Sequence, residues 1–357
     1  MSTSTVSATA VPTHQFAETS PQAIISNLEE QPLEYGSNSD ENSAFIDGPH
    51  LSAASVVSSI LEYRNSKGRA RHFPFNDSGY PFPTDDQALE NFDLMHHFST
   101  LLTDDKLFLA PVEDNVQTVL DVGTGTGLWA IDFAEEHPNT TVIGTDLSAV
   151  QSDYLPPNLT FQADDCTGPW RWDKNTFDFV HMRYLFGAIT DWNALFREAY
   201  EVTRPGGWVE SCESEPMTHS DDGTIADDGS TALGGIWDKV FIEGGKTTGC
   251  SLSVLSDDLQ TKAMEEAGFV DIHETIYKVP FGSWPANKKL AEIGQYAKLS
   301  LESDLIDYSE MIWREVLKWP AEECQLFLDQ VRDDFRNREL HPYFKIRFVW
   351  GRKPGEA

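Results

Sequence analysis

The sequence predicts an α/β fold: a mostly parallel sheet with helices on both of its faces. Short apolar runs of strand type alternate with helical runs between residues 118 and 211. The first of these runs opens into a glycine-rich turn, Gly123-Thr124-Gly125-Thr126-Gly127, which leads into a helix. The next two runs each end in acids, Asp146 and Asp164-Asp165.

Along the chain, residues 1 to about 55 are rich in Ser, Thr, Glu, Asn and Pro with no sustained apolar period, and they read as a disordered tail. Residues 56–112 read as a helical segment packed beside the main domain. A short helix near 56–64 precedes a turn-rich stretch with Pro74, Gly79, Pro81 and Pro83. A second helix follows over 85–102, with Ala88, Leu89, Phe92, Met95, His96 and Ser99 on one face and Thr84 as its cap.

The main domain spans 113–357. Strands are expected at 118–122, 141–145, 159–163, 177–182 and 207–211, and helices at 127–136 and 192–203. Beyond a Gly- and Asp-rich loop, helices are expected near 231–246 and 256–267, then a strand at 270–279. A helical insertion over about 281–342 contains one clear amphipathic helix after Pro320, where Cys324, Phe327, Leu328, Val331 and Phe335 share a face. Alternation of Phe344, Ile346, Phe348 and Trp350 marks a last strand at 343–350.

Lys and Arg total 26 against 58 Asp and Glu, a formal net charge of -32. Such a surface repels phosphate backbones and anionic membranes, which argues against nucleic-acid and membrane partners and favours a basic or neutral one. No window approaches the roughly 18 apolar residues of a membrane span. The first Lys or Arg is Arg64, so the N-terminus has neither a secretory nor an organelle-targeting character. Cys166, Cys212, Cys250 and Cys324 form no metal-type pattern, which predicts reduced thiols and no metal site. A cytoplasmic or nuclear location, or both, is the expectation.

Glycines let the backbone turn tightly and approach a ligand, and the helix start that follows offers free N–H groups. The GxGxG spacing differs from the GxGxxG dinucleotide fingerprint and lacks the Lys of a phosphate-binding loop, which argues against a nucleotide-dependent oxidoreductase. Asp121, just before the first glycine, suits a positively charged ligand such as S-adenosylmethionine better than a pyrophosphate; a tie to its own loop is the other reading. Asp146 is placed to accept from both ribose hydroxyls, and Asp164 or Asp165 from an adenine amine, with the Cys166 N–H donating to a ring nitrogen. His181, at the end of the fourth strand, is a candidate general base, with Arg183 and Tyr184 as pocket wall. Trp170 and Trp172 are readable as an adenine cover or as core, and His96-His97 as packing.

The run VLDVGTGTGLWAIDFAEEHPNTTVIGTDLS resembles motif I and the acidic loop of class I S-adenosylmethionine-dependent methyltransferases. The stretches YRNSKGRARH, LMHHFSTLLTDDKLFLAP, FDFVHMRYLFGAITDW, RPGGWVESCE, WPANKKLAEIGQY and FVWGRKP resemble the fungal LaeA-like branch of that family, linked to control of secondary metabolism. The resemblance covers about 60–354. It implies a Rossmann-like seven-stranded sheet whose last two strands form a reversed hairpin, with the helical insertion over the active site. It implies S-adenosyl-L-methionine held by Asp121, Gly123, Thr124, Gly125, Gly127, Asp146, Leu147, Asp164, Asp165 and Cys166. It implies direct methyl transfer with His181 and Tyr184 as catalytic candidates. The acceptor, small molecule or protein, is open, as is a regulatory role through protein partners in place of biosynthesis.

Overall fold

A computed structural model of the chain describes residues 32–34, 86–147 and 155–355. The expected helix near 56–64 and the Thr84 cap lie outside these residues. The first described helix, α1, is Asp86–Leu102. The sheet then builds through β1 (Thr118–Val122), α2 (Leu128–Glu136), β2 (Thr141–Asp146), β3 (Leu159–Ala163), β4 (Phe177–Arg183), α3 (Trp192–Val202) and β5 (Thr203–Ser214). Helices α4 (Ile236–Thr248) and α5 (Leu259–Ala267) lead to β6 (Val270–Pro280). The insertion comprises α6 (Lys288–Ser309), continued by a π-helical stretch Glu310–Val316, and α7 (Ala321–Arg336); β7 (Tyr343–Arg352) ends the fold.

The seven strands run in the order β3-β2-β1-β4-β5-β7-β6. Strands β1 to β5 are parallel, whereas β7 is antiparallel to both β5 and β6. The expected reversed hairpin is therefore present, with β7 slotted between β5 and β6. The chain leaves β1 outward to β3 and returns to β4 on the other side. That reversal opens a crevice at the carboxyl ends of β1 and β4, where ligands of open α/β sheets bind.

Strand alternation sends successive side chains to opposite faces. Val119 and Phe179 pack with Trp129 and Phe133 of α2 on one face. Leu120, Val180 and Met182 pack with Phe196 of α3 and Met264 of α5 on the other. A third cluster joins α1, α4, the insertion and the ends of β6 and β7, with Trp237, Trp313, Phe327 and Phe344 buried in it. All of the expected α7 face, Cys324 to Phe335, is buried there.

Some boundaries moved. Strand β5 begins at Thr203 because Thr203 pairs with Phe177 before a bulge, so the RPGG segment belongs to the sheet rather than preceding it. The tail reading also fails locally. Leu33 N donates to the Asp221 carboxylate at 3.0 Å and Ala286 N donates to Glu34 O at 2.9 Å, so residues 32–34 lie on the domain. Contacts made through backbone groups leave no apolar period in the sequence.

Two buried ionic groups fasten the sheet. Glu210, opposite His181 in the β4–β5 register, accepts from Leu109 N at 2.8 Å and Ala110 N at 2.6 Å. It thereby holds the α1–β1 connection against the sheet, and burial pushes its carboxyl up to about 7. Lys353 donates to Tyr200 O, Thr203 O and Asn175 Oδ1 at 2.7–2.8 Å, tying the last strand to the end of α3. Among the described residues no helix is long and apolar enough to cross a membrane, and no cluster of His, Cys, Asp and Glu could hold a metal.

Candidate active site

The glycine loop leaves β1 with Gly123, Gly125 and Gly127 at φ of +68°, +55° and +77°, a region that side chains rarely adopt. Each glycine serves a different purpose. A Cβ at Gly123 would stand 2.4 Å from Leu185 Cδ2, and one at Gly127 would stand 2.4 Å from Phe161 Cζ. A Cβ at Gly125 would meet nothing within 4 Å, so this turn of the loop faces open space. Thr124 N donates to Thr145 O at 2.8 Å and Gly125 N to Asp146 Oδ2 at 2.9 Å, which locks the loop to β2.

Asp121 is buried beneath this loop. It accepts from Thr124 Oγ1 at 2.6 Å through Oδ2 and meets His181 Nδ1 at 2.7 Å through Oδ1. Of the two readings open for Asp121, the loop tie is the one this geometry displays. His181 is only 1% exposed and stacks on Trp129, with ring centroids 3.7 Å apart and planes within 3°. Burial lowers its pKa, so the ring is neutral at pH 7 and Nδ1–H donates to Asp121. The general-base expectation is corrected by this placement: β4 turns His181 toward α2, away from the cavity described below.

A second buried set lies alongside. Arg183 Nη2 meets His96 Nδ1 at 3.1 Å, and His96 Nε2 meets Asp132 at 2.9 Å. Because Arg183 has only hydrogens to offer, Nδ1 accepts and Nε2–H donates to Asp132. His96 is thus part of a polar relay between α1, α2 and β4 rather than apolar packing.

The acids at the next strand ends gather around the loop, since Asp121 pairs with Gly144 and Asp146 with Ala163 across the sheet. Asp164 accepts from Arg171 Nη2 at 2.7 Å, while Asp165 accepts from the backbone N and the Oγ1 of its neighbour Thr167 at 2.9 and 2.6 Å. Cys166 is half-buried, and burial pushes its thiol up to about 12. Leu147 closes β2, also half-buried. Trp170 donates to Cys166 O at 3.0 Å, and Trp172 packs edge-on against Phe177, so both face core.

After β4 the chain turns through Tyr184, at φ +57°. Glu213 at the end of β5 holds this turn, accepting from Leu185 N at 3.1 Å and Phe186 N at 3.0 Å. Glu213 is fully buried, and burial pushes its carboxyl up to about 8 despite those donors. Ser99 Oγ donates to Met95 O at 2.7 Å, so Tyr184 O–H donates to Ser99 Oγ at 2.6 Å. Burial raises the Tyr184 phenol far above its usual range, and the hydroxyl serves to anchor a wall. Glu213 had no place in the sequence expectation, and Ser99 figured there only as part of one face of the 85–102 helix. The one signal for Glu213 was an acid inside the strand run WVESCE.

Beside this turn lies a cavity of about 720 Å³ including its mouth. Tyr184, Phe186 and the Ser214-Glu215-Pro216 end of β5 form its floor. Helix α1 contributes Met95 and Phe98, α4 contributes Trp237 and Phe241, and α6 contributes Ala297, Ser300 and Leu301. Phe281 and Phe344 complete it.

The model of a methyltransferase domain family matches residues 94–274, which contain the loop, the strand-end acids and the cavity floor. The chain is 33% identical over 317 residues to the methyltransferase pytC of Aspergillus terreus, covering 87% of this chain and 95% of the relative. The chain belongs to the methyltransferase family. The probable methyltransferase tdiE of Emericella nidulans is 31% identical, covering 85% of this chain and 92% of its own. The secondary metabolism regulator LAE1 of Cochliobolus heterostrophus is 30% identical, covering 77% and 90%.

The cofactor of this methyltransferase is S-adenosylmethionine, and the residues present fit it. The open side of Gly125 leaves room for a ligand's backbone-hugging tail, and Asp146 and Asp164 to Cys166, at the neighbouring strand ends, would hold its ribose and base. When bound, S-adenosylmethionine supplies an electrophilic methyl group on a sulfonium. Glu213 and Ser99 fix the Tyr184 turn and Asp121 ties the glycine loop, the two elements beside which the cofactor would be held. Alignment in such an enclosed site supplies much of the rate of direct transfers.

Proposed function

We propose that this methyltransferase acts on a small molecule of fungal secondary metabolism, held in the roofed cavity beside the Tyr184 turn. The observation that carries this reading is enclosure. Helices α1, α4 and α6 stand around the cavity, and aromatic and aliphatic side chains make up most of its lining, as in small-ligand sites. The names of pytC and tdiE as methyltransferases support the transfer chemistry, and that of LAE1 as a secondary metabolism regulator supports the setting. In this reading Gly123 to Gly127, Asp146, Leu147, Asp164, Asp165 and Cys166 hold the cofactor. His181 is a positioning residue acting through Asp121, and Tyr184 shapes the acceptor wall. Several relatives are named as regulators, among them LAE1. A regulatory reading draws support from the charge of -32, which suits a basic protein partner.

The test uses purified full-length protein with isotope-labelled S-adenosylmethionine and, separately, a small-molecule extract and a protein extract of a producing fungus. Label is expected in an organic-soluble product. Label confined to protein would overturn the small-molecule reading and favour the regulatory one.

A further inference from the structure

We infer that the acceptor is a ring-bearing molecule without an anionic group; this rests on the small-molecule reading above and narrows it. The cavity wall is built from aromatic rings, including Phe98, Tyr184, Phe186, Trp237 and Phe241. Rings favour flat apolar partners through offset and edge-to-face contacts.

The polar groups of the wall are already engaged by the protein. Ser214 Oγ donates to Lys345 O at 3.1 Å. The Glu215 oxygens accept from Ser256 N and Ser256 Oγ, each at 2.9 Å. The Tyr184 hydroxyl donates to Ser99. Among the described residues no Lys, Arg or His lines the cavity, so an anionic acceptor would lose its hydration and find no cation in return. The Glu215 carboxylate, also in the wall, would repel an anion further. A negative charge is therefore disfavoured, while apolar area entering the cavity gains about 25 cal/mol per Å².

A ring-matched pair of fluorescent probes tests this on the full chain saturated with S-adenosylhomocysteine. N-phenyl-1-naphthylamine is neutral; 1-anilinonaphthalene-8-sulfonate carries the same rings plus a sulfonate. The neutral probe is expected to bind at least tenfold more tightly than the anionic one. Leu301→Glu, at a half-buried wall position on α6, should weaken the neutral probe at least tenfold and leave S-adenosylhomocysteine affinity within twofold. If Leu301→Glu does not fold, Met95→Gln on the opposite wall serves, with a loss of threefold or more expected. Equal or tighter binding of the sulfonate would overturn the proposal. So would neutral-probe binding that neither variant alters. Calorimetry of S-adenosylhomocysteine separates the outcomes. A chain that fails to bind it defeats the cofactor reading, whereas one that binds it and prefers the anionic probe defeats only the acceptor class.

Discussion

Replacing Gly125 and Gly127 by alanine, one at a time, should separate binding from folding within a single loop. Both positions are left-handed, at φ +55° and +77°, so either alanine adds about 1–2 kcal/mol of backbone strain. At Gly125 nothing stands within 4 Å of the new methyl, and the cost to folding ends there. At Gly127 the methyl would lie 2.4 Å from Phe161 Cζ. The same ring stands 2.6 Å from a Cβ at Gly144, so it has little room to retreat, and overpacking adds about 1–3 kcal/mol. Gly127→Ala should therefore destabilise by about 2–5 kcal/mol against about 1–2 for Gly125→Ala, read by urea unfolding. Calorimetry should reverse part of the ranking. Gly125→Ala should lose at least tenfold in S-adenosylhomocysteine affinity, about 1.4 kcal/mol, because its methyl occupies the side of the loop kept open for ligand. A Gly125→Ala protein that binds as tightly as the parent would refute the placement of the cofactor on that face. Equal stability of the two variants would refute the Phe161 restraint.

Three further outcomes follow from the same geometry. Asp146→Ala should weaken S-adenosylhomocysteine by about 1–3 kcal/mol in calorimetry, the cost of unpaired ribose hydroxyls and a loosened Gly125. Glu210→Gln should change the pH dependence of stability. The folded carboxyl is raised from 4.5 to about 7, so the folded state binds the proton more tightly, and stability present below pH 4.5 is lost as pH rises through about 7. That loss is worth about 3 kcal/mol, so the variant should gain by about that much on the parent between pH 5 and pH 8 in urea titrations; a constant difference would count against it. Lys353→Met should cost about 2 kcal/mol or more in the same assay, since it strips a shared cation from Tyr200 O and Thr203 O; a loss under 0.5 would show that lock to be idle.

Much of the architecture was legible because the sheet obeys local rules. Period-two and period-3.6 patterns placed β1 to β4 and α7 within a few residues, and the acids Asp146 and Asp164 did end their strands. What stayed hidden depends on register and on partners far away in sequence. Whether His181 faces the ligand or α2 is decided by its place in the β4 alternation and by Trp129, neither of which composition reveals. The His96–Arg183 contact joins residues 87 apart in sequence, and the Glu213 clamp reaches back 28 residues to Leu185. The start of β5 was missed because Thr203 pairs across a bulge, and bulges carry no periodic signal.

The position of β7 sets an order of assembly. It follows the other six strands in sequence, yet it stands between β5 and β6 rather than at an edge. Until residues 343–352 are available, β5 has no neighbour on that side and β6 has none at all. Of the helices around the cavity, α6 lies between β6 and β7 in the chain, so it too awaits that closure. The strands that carry the glycine loop and its neighbouring acids can pair early, from β1 to β4, while the cavity lacks Phe344 until β7 is in place. A chain cut short of that strand would retain the sequence of the glycine loop and lose part of the cavity wall. A tag fused directly after Lys353 would press on a buried cation that secures that strand.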